Sequence, residues 1–169
     1  MNSERDEAEV HRRLHRALYQ LLLSLDIEHQ NYVLSVVRSW SKVSPLGASL
    51  PRAMSADELL LLADSRSIEL GAHTRHHPML PHLSSKRQRE EIQASKKELE
   101  ALVGRKITGF SYPNGKATTE SKRLVRELGF VYACTSLHDV VRPGSDIYNL
   151  TRFWQKDGDR FLRGLESWM

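Results

Sequence analysis

Between Val10 and Leu25 the apolar residues recur at alternating steps of three and four. Val10, Leu14, Ala17, Leu18, Leu21, Leu22 and Leu25 fall on one side, and Arg12, Arg13 and Arg16 on the other. That period is the helical one, and it predicts an amphipathic helix over Ser3 to Leu25. Tyr32, Val33, Val36, Val37 and Trp40 repeat the pattern and predict a second helix over Glu28 to Ser41, so that the two make a helical hairpin. His15 and His29 then read as solvated or partly packed helix residues. The stretch Ser44 to Ala53, with Pro45, Gly47 and Pro51, breaks the period and reads as a linker.

From Met54 the pattern becomes an alternation of helix and strand. Ser55 with Glu58 forms a capping box for a short helix to Asp64. Ile68 to Leu70 is a short apolar run with the length of a strand. Ser85 with Gln88 caps a longer helix to Leu102 or Val103, with Ile92, Leu99 and Leu102 as its inner stripe and Gly104 at its end. Ile107 to Tyr112 predicts a strand, Thr118 or Thr119 to Leu128 a helix closed by Gly129, and Phe130 to Thr135 a third strand. Asn149 to Phe153 is a fourth, and Asp157 to Trp168 a last helix. Repetition of this kind predicts an α/β fold with parallel strands and right-handed crossovers. Ligands in such folds sit at the carboxyl ends of the strands. Two loops occupy that position, His73 to Pro78 and Pro113 to Gly115.

The first loop carries candidate chemistry. Gly71-Ala72-His73-Thr74-Arg75-His76-His77-Pro78 follows its strand with three histidines. Neutral imidazole is the commonest protein ligand for divalent metals. Gly71 before and Pro78 after disfavour a helix across the site, and Thr74 stands where a helical metalloprotease needs glutamate.

Composition adds limits. The 169 residues suffice for one domain with a real core, and 40% are hydrophobic. The net charge of +4 is spread among mixed signs, which argues against a nucleic-acid partner. The single cysteine, Cys134, excludes an internal disulfide and sits in an apolar run as a small core residue. The longest apolar stretch is too short to span a bilayer. No signal peptide is visible, so the expected place is cytoplasmic, or extracytoplasmic if an upstream segment is missing.

Gly-Ala-His-Thr-x-x-His-Pro resembles the second motif of the polysaccharide deacetylases, the NodB-like carbohydrate esterases. Phe110-Ser111-Tyr112-Pro113-Asn114-Gly115 resembles their third. The likeness runs from about Met54 to Thr135, with an echo at Leu150 to Phe153. It is strongest with a bacterial branch that carries a helical insertion before the histidine motif, to which residues 3–50 would correspond. It implies an incomplete, distorted β/α barrel over residues 54–169, preceded by a hairpin and linker over 1–53. It implies a divalent metal, zinc foremost, on His73 and His77, with His76 on a variable position and Thr74 shaping the loop. It implies that the backbone N–H of Asn114 meets the oxyanion of acyl transfer, and that Tyr112, Pro113 and Gly115 line the substrate.

The implied activity is metal-dependent hydrolysis of N-acetyl or O-acetyl groups on a carbohydrate, either a sugar polymer or a lipid-linked sugar. The family's Thr-Phe-Asp-Asp motif, source of its catalytic base and third metal ligand, is absent, and the chain contains no Asp-Asp pair. The arginine of the third motif is Ser111. Asp139, just past a strand end beside His138, is the remaining candidate acid or base. The chain therefore reads as the C-terminal part of such an enzyme, weakly active alone, or as a silent relative that binds carbohydrate or a partner. The exposed edge of an incomplete barrel further predicts either that the Ser3 to Ser41 helices fold over the gap or that the protein self-associates.

Overall fold

The computed structural model describes residues 3–41, 52–65 and 67–152, and the chain divides into two compact units, Met1–Ala53 and Met54–Met169.

In the first unit, α1 (Ser3–Leu23) and α2 (Ile27–Ser41) form the hairpin that the periodicity predicts. Its turn is fixed by side chains. Asp26 Oδ1 accepts from the His29 backbone N–H at 3.0 Å, which caps α2. Gln30 Nε2 donates to the carbonyls of Leu22 and Leu25, both at 2.9 Å, and so ties α2 to the end of α1. Leu14, Leu18 and Leu21 face Val33, Val36 and Trp40 across a groove of about 510 Å³. No residue of α2 is buried, and Trp40 is 74% exposed. His29 bonds to Asp26 and His15 stacks on Tyr19.

The second unit is a three-stranded parallel sheet with helices between its strands. Helix α3 (Ala56–Asp64) starts at Ser55 with both bonds of the capping box formed. β1 (Gly71–Ala72) pairs with β2 (Gly109–Ser111), and β2 with β3 (Tyr132–Cys134), in the order β1-β2-β3. Between them run α4 (Ser85–Val103) and α5 (Thr119–Glu127). The core gathers Ile92 of α4, Leu124 and Val125 of α5, and the aromatic group Phe110, Tyr112 and Phe130. Phe110 lies 5.2 Å from Tyr112 and 5.3 Å from Phe130, ring centre to ring centre.

Several boundaries differ from expectation. The first strand is Gly71–Ala72 and not Ile68 to Leu70, because its ladder opens where Gly71 meets Gly109. Ile68 is 38% exposed in the extended lead-in. The fourth strand shrinks to one bridge, Cys134 with Leu150, and Phe153 and the last helix lie outside the described residues. Ser84 and not Ser85 caps α4, its hydroxyl accepting from the Arg87 N–H. Leu102 is 39% exposed, and Val103 packs on the core in its place. Cys134 is half-buried rather than a core residue.

Candidate functional site

β1 ends on buried Ala72, and the next residue leaves the sheet as a histidine. Its Nδ1 lies 2.7 Å from the carbonyl oxygen of Ser111, the last residue of β2 and 38 positions away. A carbonyl can only accept, so Nδ1 carries the proton and Nε2 keeps its lone pair. Metal-ligating histidines are oriented in this way, by a fixed acceptor on the other nitrogen. The His77 ring stands edge-on to that of His73, with centres 4.8 Å apart. Partial burial holds the His73 pKa below the usual histidine value, and the charges of His77 and Arg152 push the same way. The Ser111 carbonyl opposes them without reversing the result. The ring is thereby kept neutral, the state that ligation needs.

The turn that brings the two rings together is unusual. Thr74 has φ 63° and His77 φ 56°, both in the left-handed region that non-glycine residues rarely enter. Each such residue costs about 1–3 kcal/mol. The offset comes from polar groups. Thr74 Oγ1 accepts from the His77 N–H at 3.1 Å. Glu91 of α4 accepts from the backbone N–H groups of Arg75 and His76 at 3.1 and 3.0 Å, and from His76 Nδ1 at 2.7 Å. Hydrogen bonds to a charged group contribute about 1.5–3 kcal/mol each, enough to match the strain. Further along the same face of α4, Glu98 pairs with Arg75 Nε at 2.9 Å. His76 Nδ1 is thus held by Glu91.

The second loop is held by packing. Tyr112 is fully buried, and its hydroxyl donates to the Tyr148 carbonyl at 3.0 Å. Burial raises its pKa far above the ordinary phenol value. Pro113 is buried too, so the side chains of both residues support the loop from beneath. Asn114 turns the chain at φ 55°, and its amide Nδ2 lies 3.0 Å from Met79 Sδ, which joins the two loops. Gly115 sits at φ 64°, where a Cβ would fall 1.8 Å from Ser136 Oγ and 2.4 Å from Ser136 N. The close approach that requires this glycine is that of the segment after β3.

Asp139 is exposed and bound to Arg142, whose Nη1 is 3.0 Å from both carboxylate oxygens. That ion pair, with the Val140 N–H, lowers its pKa and makes it a poor proton acceptor. Among the described residues no cluster of three or more His, Cys, Asp or Glu side chains could hold a metal. His73 and His77 suit zinc in donor type, and His73 also in the Nδ1 bond that orients it, but they are one short of the three protein ligands of a catalytic site.

Three contributors have no role that the motifs assign: the Ser111 carbonyl, the Glu91 carboxylate and Arg152. Arg152 Nε donates to the Thr135 carbonyl at 2.6 Å, and its charge reaches His73. No described helix is long and apolar enough to cross a membrane.

The family model described as polysaccharide deacetylase matches residues 11–133. Among solved structures, the Streptococcus pyogenes deacetylase PplD in complex with acetate superimposes with a TM-score of 0.56 at 17% identity, covering 62% of this chain and 46% of that one. BC0361, a polysaccharide deacetylase from Bacillus cereus, gives 0.55 at 18% identity, covering 71% of this chain and 42% of its own. The BpsB deacetylase domain from Bordetella bronchiseptica gives 0.52 at 17%, covering 68% and 57%. The chain therefore spans about half the length of these structures, and the likeness is one of fold: part of a β/α barrel. No curated protein sequence matches the chain.

Proposed function

The chain belongs to the polysaccharide deacetylase family, and from that premise we propose that it carries the histidine half of a site that hydrolyses N-acetyl or O-acetyl groups on a carbohydrate. The observation that carries this reading is the bond from His73 Nδ1 to the Ser111 carbonyl, which leaves Nε2 as a lone-pair donor beside the His77 ring. In this reading His73 and His77 hold a divalent metal such as zinc. When bound, that ion supplies Lewis acidity toward the acetyl group and its attacking water. The Asn114 backbone N–H donates to the oxygen on which charge develops. Gly115, with the main chain of Tyr112 and Pro113, forms the wall against which the sugar lies.

This sequence contains no Asp-Asp pair to supply the family's carboxylates, and Asp139 is a poor substitute while Arg142 holds it. The chain alone is therefore expected to bind zinc and to release little or no acetate. Residues 1–53 are the counterpart of a family insertion in this reading. A silent, carbohydrate-binding relative is the second reading, favoured by the two-donor set. Self-association is part of the proposal as well, since β1 stands at the edge of the sheet.

The test measures acetate release from N-acetylated oligosaccharides with added zinc or cobalt. It is run on this chain and on a version that supplies a Thr-Phe-Asp-Asp strand. Turnover confined to the supplemented version, and lost in His73→Ala, supports the first reading. Sugar binding without turnover in either supports the second. Equal zinc affinity in the parent and in His73→Ala/His77→Ala would remove the metal from both.

A further inference from the structure

The backbone of the histidine loop is tied to α4 by the Glu91 carboxylate, and we infer that Glu91 is a positioning residue that sets the course of this loop and so the approach of His77 to His73. The inference rests on the metal reading given above and adds to it the group that builds the site. Three donors of the loop converge on Glu91: the N–H of Arg75, the N–H of His76 and the Nδ1 of His76, at 3.1, 3.0 and 2.7 Å. The Glu91 side chain is 18% exposed. The residue after it, Ile92, is fully buried in the core, so the carboxylate is anchored by its own helix.

Arg75 and His76 lie between the two left-handed residues, Thr74 and His77. Holding their N–H groups on one acceptor fixes the peptide planes between the bends. Thr74 alone supplies a single bond across the turn, to the His77 N–H. Without Glu91 the segment has one local tie and two strained residues, and relaxing the strain carries His77 away from its partner. His76 is part of this device. Its ring adds a third bond to the carboxylate.

The experiment uses the whole chain with Glu91→Ala, Glu91→Gln and Glu98→Ala, with His73→Ala as the reference for lost ligation. Two quantities are read: hydrogen exchange at the Arg75 and His76 amides without metal, and zinc affinity by calorimetry. Glu91→Ala should speed exchange at both amides about tenfold, since a charge-assisted bond is lost at each. It should also weaken zinc about tenfold, the loss usual for a group that orients a ligand. Glu91→Gln should restore most of both, because its oxygen still accepts from two N–H groups. Glu98→Ala should change neither, as Glu98 meets only the Arg75 side chain at an exposed pair. Unchanged zinc affinity in Glu91→Ala, with His73→Ala still lowering it, overturns the inference. Should the parent and His73→Ala bind zinc alike, the metal reading falls and amide exchange decides on Glu91. Lost protection in Glu91→Ala then supports it as the loop's anchor, and unchanged protection overturns it.

Discussion

Two loops leave adjacent strands at the same end of the sheet and are made rigid by opposite means. The histidine loop is exposed at His73, Arg75, His76 and His77, and hydrogen bonds from its backbone to Thr74 and Glu91 hold it. The Pro113 loop stands on buried Tyr112 and Pro113, with Ser136 filling the space that a Cβ at Gly115 would need. A metal ligand has to reach solvent and substrate, so its support must be polar and directional. A loop that forms the wall of a site can be fixed by filling the volume beneath it. The first kind should fail when an acceptor is removed, and the second when an atom is added.

The largest effect is expected from adding one carbon. Gly115→Ala places a Cβ inside Ser136 at a left-handed φ and should cost about 3–5 kcal/mol in urea unfolding. A cost well under this would show that the loop is not held by packing. Next is Tyr112→Phe, which strips the Tyr148 carbonyl of a buried donor and should cost about 1–3 kcal/mol. It should leave zinc affinity alone, which separates support from ligation. In the polar loop, Thr74→Val keeps the shape and removes one acceptor. About 0.5–1.5 kcal/mol should be lost, with faster exchange at the His77 amide.

The smallest effect concerns protons. The folded pKa of His73 lies below its ordinary 6.5, so just under 6.5 the unfolded chain binds more protons than the folded one. Stability should therefore rise with pH through that window and be lost as pH falls below it. The midpoint of thermal unfolding, followed from pH 7 to 5, should fall less steeply in His73→Asn than in the parent. Equal slopes would contradict a neutral, partly desolvated ring.

Much of the fold was legible because its signals are local. Helical periodicity placed α1 and α2, and Ser55 with Glu58, and Gly104, marked helix ends that the structure reproduces. Strand lengths were not legible, since apolar runs report burial and not pairing: the ladder starts at Gly71 and Gly109, two residues with no hydrophobic side chain. Ser84 and Ser85 are equally able to cap, and only backbone geometry chooses between them. At the site, His73, His77 and the Pro-Asn-Gly turn were visible as short motifs, and likeness to a family gave them roles. Glu91 and the Ser111 carbonyl were not visible, because no spacing rule connects residues 15 or 38 positions apart. The arginine three places after Asp139 was on view, and it is what binds that carboxylate.

The parallel order of the sheet also bears on how the chain reaches this arrangement. Joining His73 to Ser111 closes a loop of 38 residues, whereas joining His76 to Glu91 closes one of 15. By chain statistics the shorter closure is cheaper by about 0.8 kcal/mol, before any contact is counted. The bend of the histidine loop can thus be set against the first turns of α4 while β1 and β2 are still apart. Docking of those strands then has only to deliver one carbonyl oxygen to a ring already in place. Folding rate should accordingly be governed by the β1–β2 crossover, and the polar clamp should form at little kinetic cost.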